Sequence, residues 1–166
     1  GECAVIATDI PAEEQGTGML FNMDGEVVGM ISSSVWNDTG KNVVNAYGIS
    51  DLKPIIELLI NGKSVPYIGI YGTTVTEQLA EEHKMPSGIY VADVDPDSPA
   101  MAAGIQIGDI ICEASGEEIK DIAAYQNIVI GSSVGETMEF VGKRLGSDGY
   151  VNIKFSVVTT EKEEVK

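Results

Sequence analysis

The sequence predicts a mainly β fold with short helices, divided into two parts. Short apolar runs rich in Val and Ile alternate with Gly, Asp and Asn turn signals along most of the 166-residue chain. The turn signals Asp24-Gly25 and Ser147-Asp148-Gly149 each separate two such runs, a pattern that favours hairpins. A polar segment at residues 61–66 follows an apolar helix and precedes the second β-rich region, which predicts a domain boundary there.

The first part contains four predicted strands and one helix. The strands are expected at residues 4–8, 18–23, 26–33 and 43–47. The helix is expected to begin with Ser50 or Asp51 as its cap, to run through residue 60 and to end at Gly62. Its apolar face is predicted to comprise Ile55, Leu58 and Leu59. Four short strands and one helix cannot close a barrel, so this part is expected to be an incomplete β domain.

The second part contains more strands, separated by short helices. Strands are predicted at residues 67–71, 88–94, 109–114, 136–143 and 150–158, with a short one near Ile119. Helices are predicted at residues 76–84 and 122–130. Residues 159–166 are mostly charged and are expected to form a mobile tail.

The most informative segment spans residues 95–111, because its special residue types have definable structural roles. Ser98 can cap a helix, and Pro99 suits the first helical position, where no N–H is needed. Gly104 can take the left-handed conformation that ends the helix, and Gly108 can begin a tight turn into the next strand. The segment closely resembles the SPAxxAGLxxGDxI element of PDZ domains, particularly those of HtrA-type serine proteases. This resemblance implies a PDZ-type fold, a partly open β-barrel or sandwich, for the second part.

The resemblance also implies a site that binds peptides. PDZ domains add a peptide C-terminus as an extra strand to a sheet edge, while backbone N–H groups hold its carboxylate. The run Tyr67-Ile68-Gly69-Ile70 is similar to the carboxylate-binding loop of HtrA-type PDZ domains. The implied carboxylate donors are the N–H groups of Ile68, Gly69 and Ile70, and Gly69 would let the peptide approach the backbone closely. Ile68 and Ile70 would shape the pocket, and Ile70, Tyr71 and Gly72 would form the pairing edge.

The helix at residues 122–130 is the implied opposite wall of the groove. Helical spacing places Ile122, Gln126 and either Val129 or Ile130 near one another. Similarity to the family implies that Ile122 and Gln126 face the groove, while Tyr125 and Val129 face the core. The predicted peptide-binding set takes Ile122, Gln126 and Val129 from this helix. Some relatives carry a basic residue just before the loop, but the nearest cation here is Lys63.

Residues 14–29 resemble the nucleophile loop and following hairpin of trypsin-like proteases. HtrA relatives have the pattern GNSGGPLxNxxGEVxG, which this chain matches at Leu20, Asn22, Gly25, Glu26, Val27 and Gly29. Alignment without a gap places Gly16 at the nucleophilic serine and Thr17 at the following glycine. Glycine has no side chain that can attack a carbonyl, so Gly16, Thr17 and Gly18 are interpreted as a degenerate loop without a catalytic residue. The alternative is that Thr17 acts as a shifted nucleophile.

Charge and composition exclude several classes of partner. The formal net charge of −16 argues against binding to nucleic acid or to an anionic membrane. No apolar run is long enough to span a membrane, and the N-terminus lacks the pattern of a signal peptide. The one histidine, His83, has no Cys or His partner at metal-ligand spacing, so no metal and no cofactor are expected.

These inferences predict three regions: residues 1–62, the C-terminal remnant of a trypsin-like domain with a linker helix; residues 63–158, a PDZ domain; and the tail from residue 159. Residues 45–52 resemble the family's GFAIPSxxL strand-to-helix passage and support the first assignment. The main hypothesis is a module that captures C-terminal or extended peptides, attached to a non-catalytic HtrA-like domain. Two alternatives remain: part of an active HtrA-like endopeptidase, and a module for homo-oligomer assembly. The resemblance implies an extracytoplasmic location, at the cell surface, membrane-anchored through a further segment, or secreted.

Overall fold

A computed structural model describes residues 5–11, 16–32 and 43–161 of the chain. The contacts divide the chain into two compact units, the first ending at Asn61 and the second beginning at Gly62. Within the described ranges, no helix is long and apolar enough to cross a membrane. Expectations for residues 4, 33 and 162–166 lie outside the described part of the chain.

The first unit is a four-stranded antiparallel sheet with one helix packed on it. Its elements are β1 (Val5–Pro11), β2 (Gly18–Phe21), β3 (Val27–Ile31), β4 (Val43–Gly48) and α1 (Ile49–Ile60). The strand order is β1-β4-β3-β2. Helix α1 contacts β3 and β4, and both Ala46 of β4 and Leu52 of α1 are buried. The core of this unit therefore lies between the sheet and the helix.

The hairpin predicted at Asp24-Gly25 is present, with shorter strands than expected. The side-chain oxygen of Asn22 accepts hydrogen bonds from the N–H groups of Asp24 at 3.0 Å and Glu26 at 2.9 Å. Gly25 takes a φ of +80°, which glycine adopts without steric cost. Since Asn22 organises a compact local turn, β2 ends at Phe21 and β3 begins only at Val27.

The predicted cap of α1 is wrong. Helix α1 begins one residue early, with Gly48 at the cap position and no side-chain cap hydrogen bond. Asp51 lies inside the first turn, where its negative charge is favourable near the helix N-terminus. The predicted apolar face is also partly wrong: Leu59 is 59% exposed, and Leu52 is the buried residue of α1.

The second unit is a larger antiparallel sheet with three short helices. Its strands are β5 (Pro66–Tyr67), β6 (Ile70–Val75), β7 (Gly88–Val94), β8 (Ile110–Ala114), β9 (Glu117–Glu118), β10 (Thr137–Gly146), β11 (Gly149–Val158) and β12 (Thr160–Glu161). Its helices are α2 (Glu77–His83), α3 (Pro99–Ala103) and α4 (Ile122–Gly131). The main sheet has the order β11-β10-β8-β7-β6, β9 pairs with β8, and β12 pairs with β5. The mainly β fold class with short helices is confirmed.

The apolar core of this unit lies between the main sheet and the helices. Phe140 of β10 and Ile89 of β7 are fully buried, and Ala100 of α3 and Tyr125 of α4 join the same cluster. The rings of Tyr125 and Phe140 lie 6.5 Å apart in a tilted arrangement. This cluster ties α3 and α4 to the sheet, so the elements around the candidate site share one core.

Two expectations about the second unit are wrong. The strand predicted at residues 67–71 is broken after Tyr67, because Gly69 takes a φ of +90° that a continuous strand cannot include. The mobile tail does not begin at Thr159, whose side chain is buried and donates hydrogen bonds to the carbonyls of Ser133 and Glu136. The next two residues form β12, so the ordered chain extends to Glu161.

The turn signals at residues 95–111 are present as predicted. The Ser98 hydroxyl accepts a hydrogen bond from the Met101 N–H at 3.2 Å, and Gly104 ends α3 with a φ of +88°. Asp109, which follows the turn, is buried and bound by the guanidinium of Arg144 at 2.6 and 2.8 Å. The same guanidinium donates to the Gly104 carbonyl at 2.9 Å, so Arg144 fastens the segment to β10.

Candidate functional site

The loop between β5 and β6 is held from one side by the segment that carries α3. The Ala100 N–H donates to the Ile68 carbonyl at 2.9 Å, and the Asp95 N–H donates to the Gly69 carbonyl at 2.9 Å. Ala100 lies in the first turn of α3, where N–H groups have no partner within the helix. The loop carbonyls thus satisfy the α3 segment, and the loop's peptide planes are fixed by it.

Gly69 is required by this packing. A Cβ atom at this position would lie 2.6 Å from the Ser98 hydroxyl oxygen and 2.9 Å from the Tyr67 hydroxyl oxygen. Its φ of +90° also disfavours any other residue. The sequence argument attributed this glycine to close approach of a ligand, whereas the structure places the crowding inside the protein.

The N–H groups of this loop have a different status from its carbonyls. Ile68 and Gly69 are both buried. Within residues 5–11, 16–32 and 43–161, the structure records no hydrogen-bond acceptor for either N–H. Buried backbone N–H groups in native proteins are nearly always paired, so these two donors are available to an external acceptor. Adjacent backbone donors of this kind suit an anion.

A cavity of about 200 Å³ lies between this loop and helix α4. It is lined by residues 66–71 and, from α4, by Tyr125, Gln126, Val129 and Ile130. The lining is largely aliphatic and aromatic, with the amide of Gln126 as a polar group. An apolar side chain is therefore the chemical group that the cavity favours.

The structure brings together most of the predicted site residues at this cavity, but not all of them. Tyr67, Ile68, Gly69, Ile70, Tyr71, Gln126 and Val129 line it. Gly72 and Ile122 do not belong to the lining. A Cβ at Gly72 would meet Ile89 at 2.5 Å and the Tyr90 carbonyl at 2.6 Å, so that glycine serves the packing of β6 on β7.

Helix α4 presents a mixed face to the cavity. Tyr125 and Val129 are buried in the core cluster, as expected, and they also line the cavity. The Asp121 carboxylate caps α4 by accepting from the Ala124 N–H at 2.7 Å. The Ile122 N–H donates to the Thr74 hydroxyl at 3.0 Å, which links the start of α4 to β6.

Two tyrosine hydroxyls converge on Asp95, a feature that the sequence argument missed. One carboxylate oxygen of Asp95 accepts from the Tyr67 hydroxyl and, at 2.8 Å, from the Tyr71 hydroxyl. Burial, followed by the hydrogen bond to Asp95, raises the pKa of the Tyr67 hydroxyl above its ordinary value. The partners lie 24 and 28 residues apart, and no local pattern signals such a pairing.

The predicted nucleophile loop belongs to the first unit. Gly16 and Thr17 are exposed and Gly18 begins β2. A Cβ at Gly16 would meet no atom within 4 Å in the structure. Gly16 is therefore not required by steric crowding, and the loop has room for a side chain at this position.

The fold and the loop define the second unit as a PDZ-type domain. It combines a glycine-containing loop with unpaired N–H groups, a strand that ends the sheet order, and a facing helix. The family model described as PDZ domain matches residues 90–144, from β7 to β10. The loop at residues 67–70 lies outside this match, so the account of the site rests on the structure.

Curated relatives extend the similarity to both units. The chain is 30% identical over 155 residues to the "Probable periplasmic serine endoprotease DegP-like" of Halomonas elongata, covering 89% of this chain and 32% of that protein. It is 30% identical over 174 residues to the "Serine protease Do-like HtrA" of Bacillus subtilis, covering 96% of this chain and 38% of that protein. The chain contains a PDZ domain and is homologous to the HtrA/DegP family of serine proteases. It spans about a third of the length of these relatives.

A solved structure has the same fold. The HtrA-type protease AlgW, determined with a decapeptide, matches with a TM-score of 0.55 and 20% sequence identity. The match covers 85% of this chain and 44% of that one.

Proposed function

We propose that the second unit binds C-terminal or extended peptide segments by strand addition, with the loop at residues 67–70 holding the terminal carboxylate. The observation that carries the proposal is the pair of buried N–H groups of Ile68 and Gly69, for which the described residues provide no acceptor. A peptide carboxylate would supply the acceptors, and hydrogen bonds to a charged group are stronger than neutral ones.

The position of β6 supports strand addition. β6 ends the order of the main sheet, so no strand of the described chain pairs with its outer edge. Helix α4 lies against β6 and provides the facing wall. A peptide paired with this edge would place its last side chain in the apolar cavity next to the loop. An apolar final residue is therefore preferred, and the net charge of −16 disfavours strongly acidic peptides.

The test compares peptides that differ only at the C-terminus. Fluorescein-labelled hexapeptides Gly-Ser-Ala-Thr-Ile-X, with X as Val, Leu, Phe or Asp, are titrated with the 166-residue chain as free acids and as amides. We expect at least one apolar free acid to bind with a dissociation constant of about 1–100 μM and at least about ten times more tightly than its amide. Equal affinity of each acid and its amide contradicts the carboxylate site.

We further propose that the first unit is a non-catalytic relative of an HtrA protease domain. Gly16 occupies the position at which the family pattern has its nucleophilic serine, and it has no side chain that can attack a carbonyl. Casein cleavage by the full-length protein, before and after Thr17→Ala, tests this. We expect no cleavage from either form. Cleavage that disappears on Thr17→Ala favours the alternative, an active endopeptidase with a shifted nucleophile.

The periplasmic description of the relatives supports an extracytoplasmic location for this protein. A protease-accessibility assay on intact cells and spheroplasts tests it, and protection in both contradicts it.

Self-association of the first unit is a second proposal. Met19 and Phe21 of β2 are each 60% exposed, and β2 is at one end of the described sheet order. Burial of such apolar side chains against a second copy would favour a homo-oligomer. Light scattering on the 166-residue chain distinguishes the states. A monomer mass at all concentrations contradicts assembly.

A further inference from the structure

We propose that Asp95 is a positioning residue for peptide binding, holding the carboxylate loop in its binding geometry through Tyr67 and Tyr71. The proposal rests on the proposed peptide-binding function and extends it. It identifies a specific acidic side chain, outside the loop itself, on which affinity depends.

The contacts of Asp95 enclose the loop from both ends. Tyr67 immediately precedes the two residues with unpaired N–H groups, and Tyr71 follows Ile70. The hydroxyls of both tyrosines donate to the same carboxylate oxygen of Asp95. The backbone N–H of Asp95 donates to the Gly69 carbonyl at 2.9 Å, in the middle of the loop. One residue therefore contacts the beginning, the middle and the end of a five-residue segment.

Tyr67 transmits this constraint to Gly69. Its hydroxyl oxygen lies 2.9 Å from the position that a Cβ on Gly69 would occupy. The Tyr67 hydroxyl thus packs against the α-carbon of Gly69, opposite Ser98 across a narrow gap. If the hydroxyl loses its acceptor, the tyrosine can move and this side of Gly69 loses its support.

Asp95 is itself well anchored. Its carbonyl accepts from the Ser98 N–H at 3.3 Å, and it follows directly after Val94 at the end of β7. The tyrosine hydroxyls are therefore tied to the same rigid segment that holds the loop carbonyls. Since the nearest cation in sequence before the loop is Lys63, the orientation of the N–H groups carries the recognition of a carboxylate.

The test uses the acid and amide pair of the hexapeptide that ends in Val, with wild type, Asp95→Ala and Asp95→Asn in the 166-residue chain. We expect Asp95→Ala to weaken binding of the free acid about ten-fold, a typical consequence of losing charge-assisted hydrogen bonds, and to reduce the acid-to-amide ratio. Asp95→Asn should restore most of the affinity, because its amide oxygen can still accept from a tyrosine hydroxyl.

A matched control is Asp93→Ala, which removes a neighbouring exposed carboxylate from β7. It changes the net charge equally and should leave both affinities unchanged. The double variant Tyr67→Phe/Tyr71→Phe removes the donors instead. We expect it to weaken binding about as much as Asp95→Ala, with little further loss when the three changes are combined, because they disable one unit.

The outcomes separate the two proposals. If wild type binds acid and amide equally, the peptide-binding function fails. If wild type discriminates between them and Asp95→Ala binds the acid as wild type does, the function stands and the positioning role of Asp95 is overturned. Equal losses in Asp95→Ala and Asp93→Ala also overturn it, because charge alone would then explain the effect. Circular dichroism and thermal unfolding of each variant establish that the variants compared are folded.

Discussion

The hydroxyl oxygen of Ser98 lies 2.6 Å from the position that a Cβ on Gly69 would occupy. One side chain therefore caps α3 and packs against the loop that the proposal assigns to carboxylate binding. The loop and the capped turn are consequently constrained together, although they are about 30 residues apart in sequence. Changes at either residue are expected to affect the other segment.

Gly69→Ala is expected to destabilise the second unit by about 3 kcal/mol, since it combines backbone strain with a clash against Ser98. The control is Gly116→Ala, which has a φ of +83° but nothing within 4 Å of its Cβ position. It should cost only about 1 kcal/mol. Urea denaturation of both variants measures the difference. Equal losses contradict the steric role of Ser98.

Arg144→Ala is expected to cost about 3 kcal/mol of stability, because it leaves the buried carboxylate of Asp109 without its cation. Arg144→Lys should recover little, since lysine cannot reproduce the two-pronged contact with Asp109. Lys143→Ala on the same strand is the control. Chemical denaturation that ranks Arg144→Ala no worse than Lys143→Ala contradicts this account.

Truncation after Val158 should destabilise the second unit by about 2 kcal/mol, because the carbonyl of Glu136 loses the buried N–H of Thr159 and Ser133 loses its hydroxyl partner. Truncation after Glu161 keeps β12 and its pairing with β5. Thermal unfolding of the two truncated chains measures the effect. A tail without structural importance would give the same midpoint for both.

The folded state should lose stability as the pH rises above about 10, the ordinary tyrosine pKa. Burial and the hydrogen bond to Asp95 raise the pKa of Tyr67, and burial raises that of Tyr125. The unfolded chain therefore releases these protons first, and the stabilisation present below pH 10 is lost above it. Urea denaturation between pH 8 and 11 should show a smaller loss for Tyr67→Phe than for wild type. An equal slope in that variant contradicts a contribution from Tyr67.

Much of the candidate site followed from sequence patterns. The loop at residues 67–70 and the contributions of Gln126 and Val129 meet at one cavity. Ile122 could not be assigned in this way, because helical spacing gives the face of a helix and not how far along that face a cavity extends. Likewise, a glycine signals an unusual backbone or close packing, but its neighbours depend on the folded chain.

The sequence by itself determined the capped turn of α3, the hairpin signals and the order of strands and helices in the second unit. Those features depend on interactions within a few residues, such as that of Ser98 with the Met101 N–H. Only the tertiary structure decided that Asp95 joins Tyr67 and Tyr71, that Asp109 binds Arg144, and that Thr159 is buried. Each of these pairings spans more than 20 residues of sequence, and it forms only when the packed sheet brings distant strands together.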